Sequence, residues 1–468
     1  MSSNFVFSKP LNKVVIYPAP KGEALNTAYY VSVAGRSVSV YNAKIGAADN
    51  NKRFKAVDDL LNSDKYYDTA AFAYFDMRGS AMVNIKIRGL INSVKILPTS
   101  SGIKAIKNRN GISFIVAKSQ NLTIEINGET VRSLHLFINP IEDDKPDPHD
   151  PNVIFFGPGI HMVSCMTIGS NKTVYVAGGA IVRAVIGENE KYGIEPSGLK
   201  NYSPRFFLNG THIKFIGRGI IDATACPTHA GNFIMIKGVG VTIEGVILRN
   251  SCGWTIPVRQ SENVVIDNVK ILGYRANSDG IDICNSVNVD VKKCFIRTND
   301  DLIVIKTEKS EGIAKHIVIR DCVLYNETAN ALSLGAELRE NVSDVLFSDC
   351  DIIHDQGRAW SLRIFQGDSS VVNNIRFYNL RIEEAHQFIS LWIGHDLSSY
   401  DRNSGKIENI IFNNIKAKGT PLNIDLTGID IYHSITNILF QKVLINQKSL
   451  VKDDVKNNPF VYNIKIVP

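Results

Sequence analysis

Alternating apolar and polar positions run through most of the chain, in two different arrangements. In the first, short runs follow one another: KVVIYPA from Lys13, YYVSVAG from Tyr29, SVSVYNA from Ser37, FAYFDMRG from Phe72, VNIKIRG from Val83, SVKILP from Ser93, SFIVAK from Ser113, LTIEING from Leu122 and LHLFINP from Leu134. Successive side chains of a strand point to opposite faces, so this alternation predicts half-buried antiparallel strands. Nine such runs predict a β-sandwich over residues 1–141. The segment EDDKPDPHDP, residues 142–151, holds three prolines and five acidic residues in ten positions and reads as a linker.

From residue 152 to 468 the chain repeats itself. NVVIDNVKI from Asn263, NVDVKKCFI from Asn288, HIVIRDCVL from His316, DVLFSDCDI from Asp344, NIRFYNLRI from Asn374, NIIFNNIKA from Asn409 and NILFQKVLI from Asn437 share one order of polar and apolar positions. GVTIEGVIL from Gly240 and HIKFIGRGI from His212 fit more loosely, and the starts recur every 23 to 35 residues. A self-similar period of this length with strand-like content is a solenoid signature. Period-two alternation rich in Val, Ile and Phe argues against helical repeats and against the Leu-dominated spacing of leucine-rich repeats. The expected fold class is therefore all-β: a sandwich followed by a right-handed parallel β-helix whose coils stack about 4.8 Å apart. Cys294, Cys322 and Cys350 hold the same repeat position, 28 residues apart each time. They are expected to stack as small hydrophobes; a metal site is the weaker reading, since no CxxC or clustered His accompanies them.

Composition changes this picture little. The 468 residues include 43 Asn and 34 Gly, and Asn268, Asn379 and Asn414 share one bend position of the repeat. Asn favours tight turns and left-handed backbone, so the excess belongs to the bends. The net charge of +6 is spread along the chain, which reads as a solvated surface, not a nucleic-acid patch. No run of about 18 apolar residues predicts a membrane span. Seven cysteines, an odd number, do not make a disulfide framework. The N-terminal MSSNFVFSKP lacks the basic and apolar regions of a signal peptide. The expected location is secreted or periplasmic with the signal removed, or else intracellular.

One segment departs from the repeat: NSDGIDI from Asn277, then TNDDLIVIK from Thr298. Asp279 and Asp300 are 21 residues apart, close to one coil, so Asp279, Asp300 and Asp301 fall on one patch of adjacent coils. Three crowded carboxylates repel one another, which raises the proton affinity of at least one. One group then serves as an acid while others stay ionised as bases, the arrangement glycoside hydrolysis requires. A solvated turn, a calcium site and a non-catalytic sugar groove are the other readings of these residues.

From about residue 250 to 382 the chain resembles glycoside hydrolase family 28, the polygalacturonase family. RNSCGWTIPVRQSENVVIDNVKI from Arg249 is similar to that family's NSPxW stretch, NSDGID to its NTDGxD motif, and NDD with IVIK to its GDD and IK motifs. FFGPGIHMVSCMTIGSNKTVYVAGGAIV from Phe155 resembles the opening coils of the same proteins, and a sandwich before a β-helix resembles the family 49 dextranases of the same clan. The resemblance implies Asp300 as general acid, Asp279 and Asp301 as the pair that activates water, Asn277 as an orienting group, Lys306 in the IK motif, and inversion at the anomeric carbon. It implies neither a metal nor an organic cofactor. Two motifs depart from the family. NANALSLG places Asn330 where a Gly-His-Gly motif has its histidine, and LRIFQG keeps Arg363 but has Phe365 in place of a lysine. In polygalacturonases that Arg and Lys hold substrate carboxylates; a Phe instead offers a face for a sugar. The expected substrate is thus an α-linked glycan other than plain polygalacturonate. Trp360, His395 and Asp396 are further candidates for lining the sugar site, and Glu337 is a candidate polar substitute beside the missing histidine. A binding solenoid or tail-spike-like adhesin without turnover is the rival from another class; a lyase would need a basic residue or calcium ligands beside the acids.

Overall fold

The computed structural model describes residues 12–468 apart from Pro196, Gly357, Arg358, Leu397 and Arg402. The segment read for a signal peptide lies outside the described residues. The chain divides into two compact units, one of residues 1–42 and 70–146 and the other of residues 43–69 and 147–468.

The first unit is a sandwich of two sheets. One sheet carries, in spatial order, Lys13–Ile16, Tyr67–Arg78, Glu129–Pro140, Gln120–Ile126 and Val94–Leu97, with Val40–Gly46 also pairing to Tyr67–Arg78. The other carries Arg36–Val38, Tyr29–Val33, Ala81–Ile87, Gly111–Val116 and Ile106–Lys107. Val31, Val83 and Phe114 of the second sheet share one core cluster with Ala73, Leu122 and Leu136 of the first. All nine predicted runs fall on strands of this unit.

The second unit is a right-handed parallel β-helix. Through the middle coils, from Phe206–Thr211 to Val371–Tyr378, most strands pair in parallel with the third strand after them, so three strands make one coil. The repeat legible in the sequence is one of these three: Glu262–Asp267, Val287–Lys292, Ala314–Arg320, Val342–Ser348 and Val371–Tyr378 stack in register. Phe347, Phe377, Phe412 and Phe440 lie one above the next in its interior, with ring centroids 4.9, 4.9 and 5.0 Å apart. Cys294, Cys322 and Cys350 are fully buried free thiols, each donating to a carbonyl two residues back.

The asparagines earn their frequency at the bends. Asn268, Asn379 and Asn414 have φ of 55°, 51° and 53°, in the left-handed region. A Cβ makes that conformation costly for most residues, and Asn tolerates it. Their amides also link coils: Asn379 donates to Asp349 and accepts from Asn414 at 2.9 Å. Asn379→Ala is therefore expected to lower stability by about 1–2 kcal/mol in urea denaturation. An unchanged midpoint would show that this bend does not depend on its asparagine.

The alternation assigned residues 43–69 to the first region with their neighbours, whereas they fold as part of the second unit. They carry the helix Asn50–Asp58, capped by the Asp49 carboxylate, and the 3-10 turn Leu60–Lys65. Polar contacts far along the chain hold them to the coils. Gly46 N–H donates to Glu327 Oε2 at 2.6 Å, Ser63 bonds Thr228 at 3.0 Å, and Asp64 pairs with Arg275. Periodicity does not reveal such contacts.

Candidate active site

The strands Ile281–Cys284, Ile303–Thr307, Leu332–Leu338 and Leu362–Gln366 stack in parallel on another face of the coils. The residues just before them line up through the backbone ladder. Gly280 N–H donates to the Asp301 carbonyl at 2.8 Å, Leu302 N–H to that of Asn330 at 2.9 Å, and Ala331 N–H to that of Trp360 at 3.2 Å. Asp279, Asp301, Asn330 and Trp360 thus occupy equivalent places on four successive coils, as the coil-length spacing requires.

Asp300 joins them from the preceding loop. Asn277 adopts φ 53°, and its N–H donates to Asp300 Oδ2 at 3.1 Å. Asp301 Oδ1 accepts from the Asn330 backbone N–H at 2.9 Å and from its side-chain amide at 2.7 Å. The Asn330 side-chain oxygen in turn accepts from Trp360 N–H at 3.1 Å. One oxygen from each of Asp279, Asp300 and Asp301 lies within 4.8 Å of the other two. The three carboxylates expected to cluster do so.

Lys306 sits beneath the cluster, its Nζ 3.3 Å from Asp279 Oδ2 and 3.0 Å from Asp282 Oδ1. It also lies 3.9 Å from the Trp254 ring centroid. Burial pushes the Asp300 carboxyl well above its ordinary range, and the charges of Asp279 and Asp301 push it further. Asp279 is raised by burial too, opposed by the adjacent Lys306 ammonium. Asp282, fully buried, is raised well above its usual value by burial, with Lys306 again opposing. Against its own burial, Lys306 is held well above its ordinary value by Asp282 and Asp279. Three carboxylate oxygens at this spacing also suit a divalent cation. Each carboxylate already accepts from a donor through one of its oxygens: Asp279 from Lys306, Asp300 from Asn277, and Asp301 from Asn330.

Other expected residues stand differently. Arg363 is half-buried, its guanidinium 4.7 Å from the Phe365 ring centroid, and burial holds its proton affinity below the usual value. Phe365 is fully buried, and its ring stacks on Trp392 at 4.3 Å. The structure corrects the expectation that Phe365 offers a face to a sugar: Arg363 and Trp392 occupy its surroundings. His395 and Asp396 are exposed in the turn after Arg381–Ile393, where His395 bonds the Gly367 carbonyl at 3.2 Å and Asp396 accepts from Ser398 N–H at 2.8 Å. The three carboxylates, Asn277, Asn330 and Lys306 are joined by direct contacts; these two are not part of that network.

The motif reading passed over three participants. Asp282 stands in NSDGID itself, and its alternation with Ile281 and Ile283 was the available signal. His229 Nε2 lies 2.9 Å from the Asn277 side-chain oxygen, and its Nδ1 lies 3.0 Å from Glu195 Oε2. No periodicity marks either residue, since both lie outside the repeat.

Residues 221–457 match the family described as glycosyl hydrolases family 28. The chain belongs to this family. Among curated relatives, a polygalacturonase of Juniperus ashei is 28% identical over 237 residues, covering 45% of this chain and 45% of that protein. A probable exopolygalacturonase X of Aspergillus terreus (strain NIH 2624 / FGSC A1156) is 21% identical over 254 residues, covering 49% of this chain and 51% of that protein. A probable polygalacturonase of Vitis vinifera is matched over 26% of its length, so the chain spans about half or less of these relatives. In structure, Dex49A from Penicillium minioluteum superposes with a TM-score of 0.63 at 14% identity, over 97% of this chain and 96% of that one. A hyperthermoactive exopolygalacturonase from Thermotoga maritima gives 0.52 at 18% identity, over 67% and 84%. At these identities the structural likeness speaks for the fold of this family 28 chain.

Proposed function

We propose that this chain hydrolyses an α-linked polysaccharide or oligosaccharide, with Asp300 as general acid and Asp279 and Asp301 activating water. The observation that carries this reading is a protonation-prone Asp300 within 4.8 Å of two carboxylates that are each addressed by their own donor, Lys306 or Asn330. Asp300 gives its proton to the glycosidic oxygen as the bond from that oxygen to the anomeric carbon breaks. Water attacks the same carbon, and its proton passes to Asp279 or Asp301. Asn277 holds Asp300 in place through its N–H. A location outside the cytoplasm suits a polymeric substrate.

Plain polygalacturonate fits this site poorly. The relatives are named for that activity, but here the position of the second cation is Phe365, buried against Trp392. A panel of α-linked glycans with reducing-end detection is expected to show faster release from another member than from polygalacturonate. Polygalacturonate as the best substrate would overturn this part of the reading.

Inversion rests on the family resemblance. The carboxyls of inverting pairs are usually about 6.5–9.5 Å apart, and those of retaining pairs about 5–5.5 Å. The nearest oxygens here approach more closely than either, so separation alone does not assign the outcome. Proton NMR of the first product should show the opposite anomeric configuration to the bond cleaved. Retention would sink the direct-displacement step and make one carboxylate a nucleophile.

A further inference from the structure

A cavity of about 320 Å³ opens beside Asn277, on the side of the carboxylates nearer the start of the coils. Glu195, Asn201, His229, Asn232, Trp254 and Arg259 line it. This size lies at the small end of the range for small-molecule sites, about 300–1,000 Å³, and suits one sugar ring better than a passing chain. Its chemistry suits a sugar as well. Planar amides, a carboxylate, an imidazole and a guanidinium offer donors and acceptors for hydroxyls around one indole. Arg259 has no carboxylate partner among the described residues, its guanidinium resting 5.1 Å from the Trp254 ring centroid.

The outer wall is a hairpin, Tyr192–Ile194 paired with Lys200–Tyr202, that leaves the coil sheets. Its base is pinned by the fully buried Arg205, which pairs with Glu190 and donates to the Val185 carbonyl at 3.1 Å. Glu195, just after the hairpin's first strand, reaches His229 Nδ1 at 3.0 Å. At Gly231, φ +83°, an added Cβ would stand 2.3 Å from the Tyr202 carbonyl, so the wall approaches the floor as closely as glycine allows. From wall to carboxylates the contacts are continuous: Glu195 to His229, His229 to Asn277, and Asn277 N–H to Asp300.

We propose that this cavity is the subsite for the terminal sugar of the glycan, and that the hairpin stops the groove there so that cleavage proceeds from a chain end. The proposal rests on the hydrolase reading above and adds where the chain must stop. Of the cavity's lining, Glu195, Asn201, His229 and Asn232 lie outside the motifs shared with the family, whereas Trp254, Arg259 and Asn277 belong to them.

The test uses the full chain and a panel of α-linked hexasaccharides carrying a fluorophore at the reducing end. Cleavage is expected to release a single sugar from one end from the earliest time point, and Asn232→Ala or Arg259→Ala to raise KM several-fold. Early products from the middle of the hexasaccharide, with KM unmoved by both substitutions, would overturn the subsite and leave the hydrolase reading standing. Binding of the same hexasaccharides is measured by calorimetry on Asp300→Asn, with and without Asn232→Ala. If no member of the panel is cleaved yet one binds and Asn232→Ala weakens it, the subsite stands and the hydrolase reading falls. If none is cleaved and binding is absent or indifferent to Asn232→Ala, both fall.

Discussion

Replacing Asp300 with asparagine is expected to cut hydrolysis by orders of magnitude while making the fold more stable at neutral and higher pH. An asparagine accepts the Asn277 N–H bond as the carboxylate does, but it has no proton to give to a leaving oxygen. A positioned general acid contributes about 10²–10⁴ in rate, and a loss of that size is expected in kcat with KM little changed. The gain in stability follows from the same carboxyl. Burial and the neighbouring Asp279 and Asp301 raise its proton affinity in the folded state. A group raised in this way contributes stability fully present below its unfolded pKa of about 3.9, and lost as pH rises through the higher folded value. The unmodified chain therefore weakens across that window and the asparagine variant does not, so their difference grows with pH. Activity of the unmodified enzyme should fall over the same window as Asp300 loses its proton. Thermal unfolding from pH 4 to 8, run beside the rates, checks both. An undiminished kcat would remove Asp300 as the acid; a stability difference that shrinks with pH would contradict its raised proton affinity.

The second large effect is structural. Lys306 is the cation for two buried carboxylates, Asp279 and Asp282. Lys306→Met keeps most of the volume and leaves both without their counter-charge. Removing one partner of a buried ion pair costs about 3–5 kcal/mol, because the remaining charge stays desolvated. Protonation offers relief. Asp282 is already raised by burial, and without Lys306 it rises further, so the variant's deficit should narrow as pH falls from 7 towards 5. Adding Asp282→Asn to Lys306→Met should restore part of the lost stability at neutral pH. Urea denaturation at two pH values measures this. A deficit that is small at neutral pH, or the same at both, would show that Lys306 does not neutralise this pair.

The parts of the molecule that were legible in sequence are those a short window captures. Alternation exposed the sandwich strands, and the repeat from Asn263 to Asn437 exposed the coils, because each stacks on a near copy of itself. The carboxylates were legible because spacing near one coil length is spacing in register: Asp279, Asp301 and Asn330 do lie one above another. The rest depended on contacts between distant segments. Phe365 looked like an exposed platform, since sequence says which residue replaces a lysine but not that Trp392, one coil on, covers it. His229 and Glu195 carry no pattern, and their place beside Asn277 depends on a hairpin that interrupts the coils. Residues 43–69 read as part of the sandwich because the chain passes through them between two of its strands, while their partners Thr228, Arg275 and Glu327 come far later.

That last arrangement imposes an order on biosynthesis. Asp64 and Arg275 are 211 residues apart, and Gly46 and Glu327 are 281 apart. At about 5–20 residues per second, a translating ribosome takes about 10–40 s to make Arg275 after Asp64. Thr228 is made within that interval, so the segment carrying the helix Asn50–Asp58 and the turn after it gains its contacts with the coils one by one, and Arg275 and Glu327 come last. Its full docking is thus a late event, reached when the coils bearing Asn277 and Asp300 have emerged. A nascent chain halted before that point would carry this segment incompletely docked, and limited proteolysis of such stalled chains would find it more accessible.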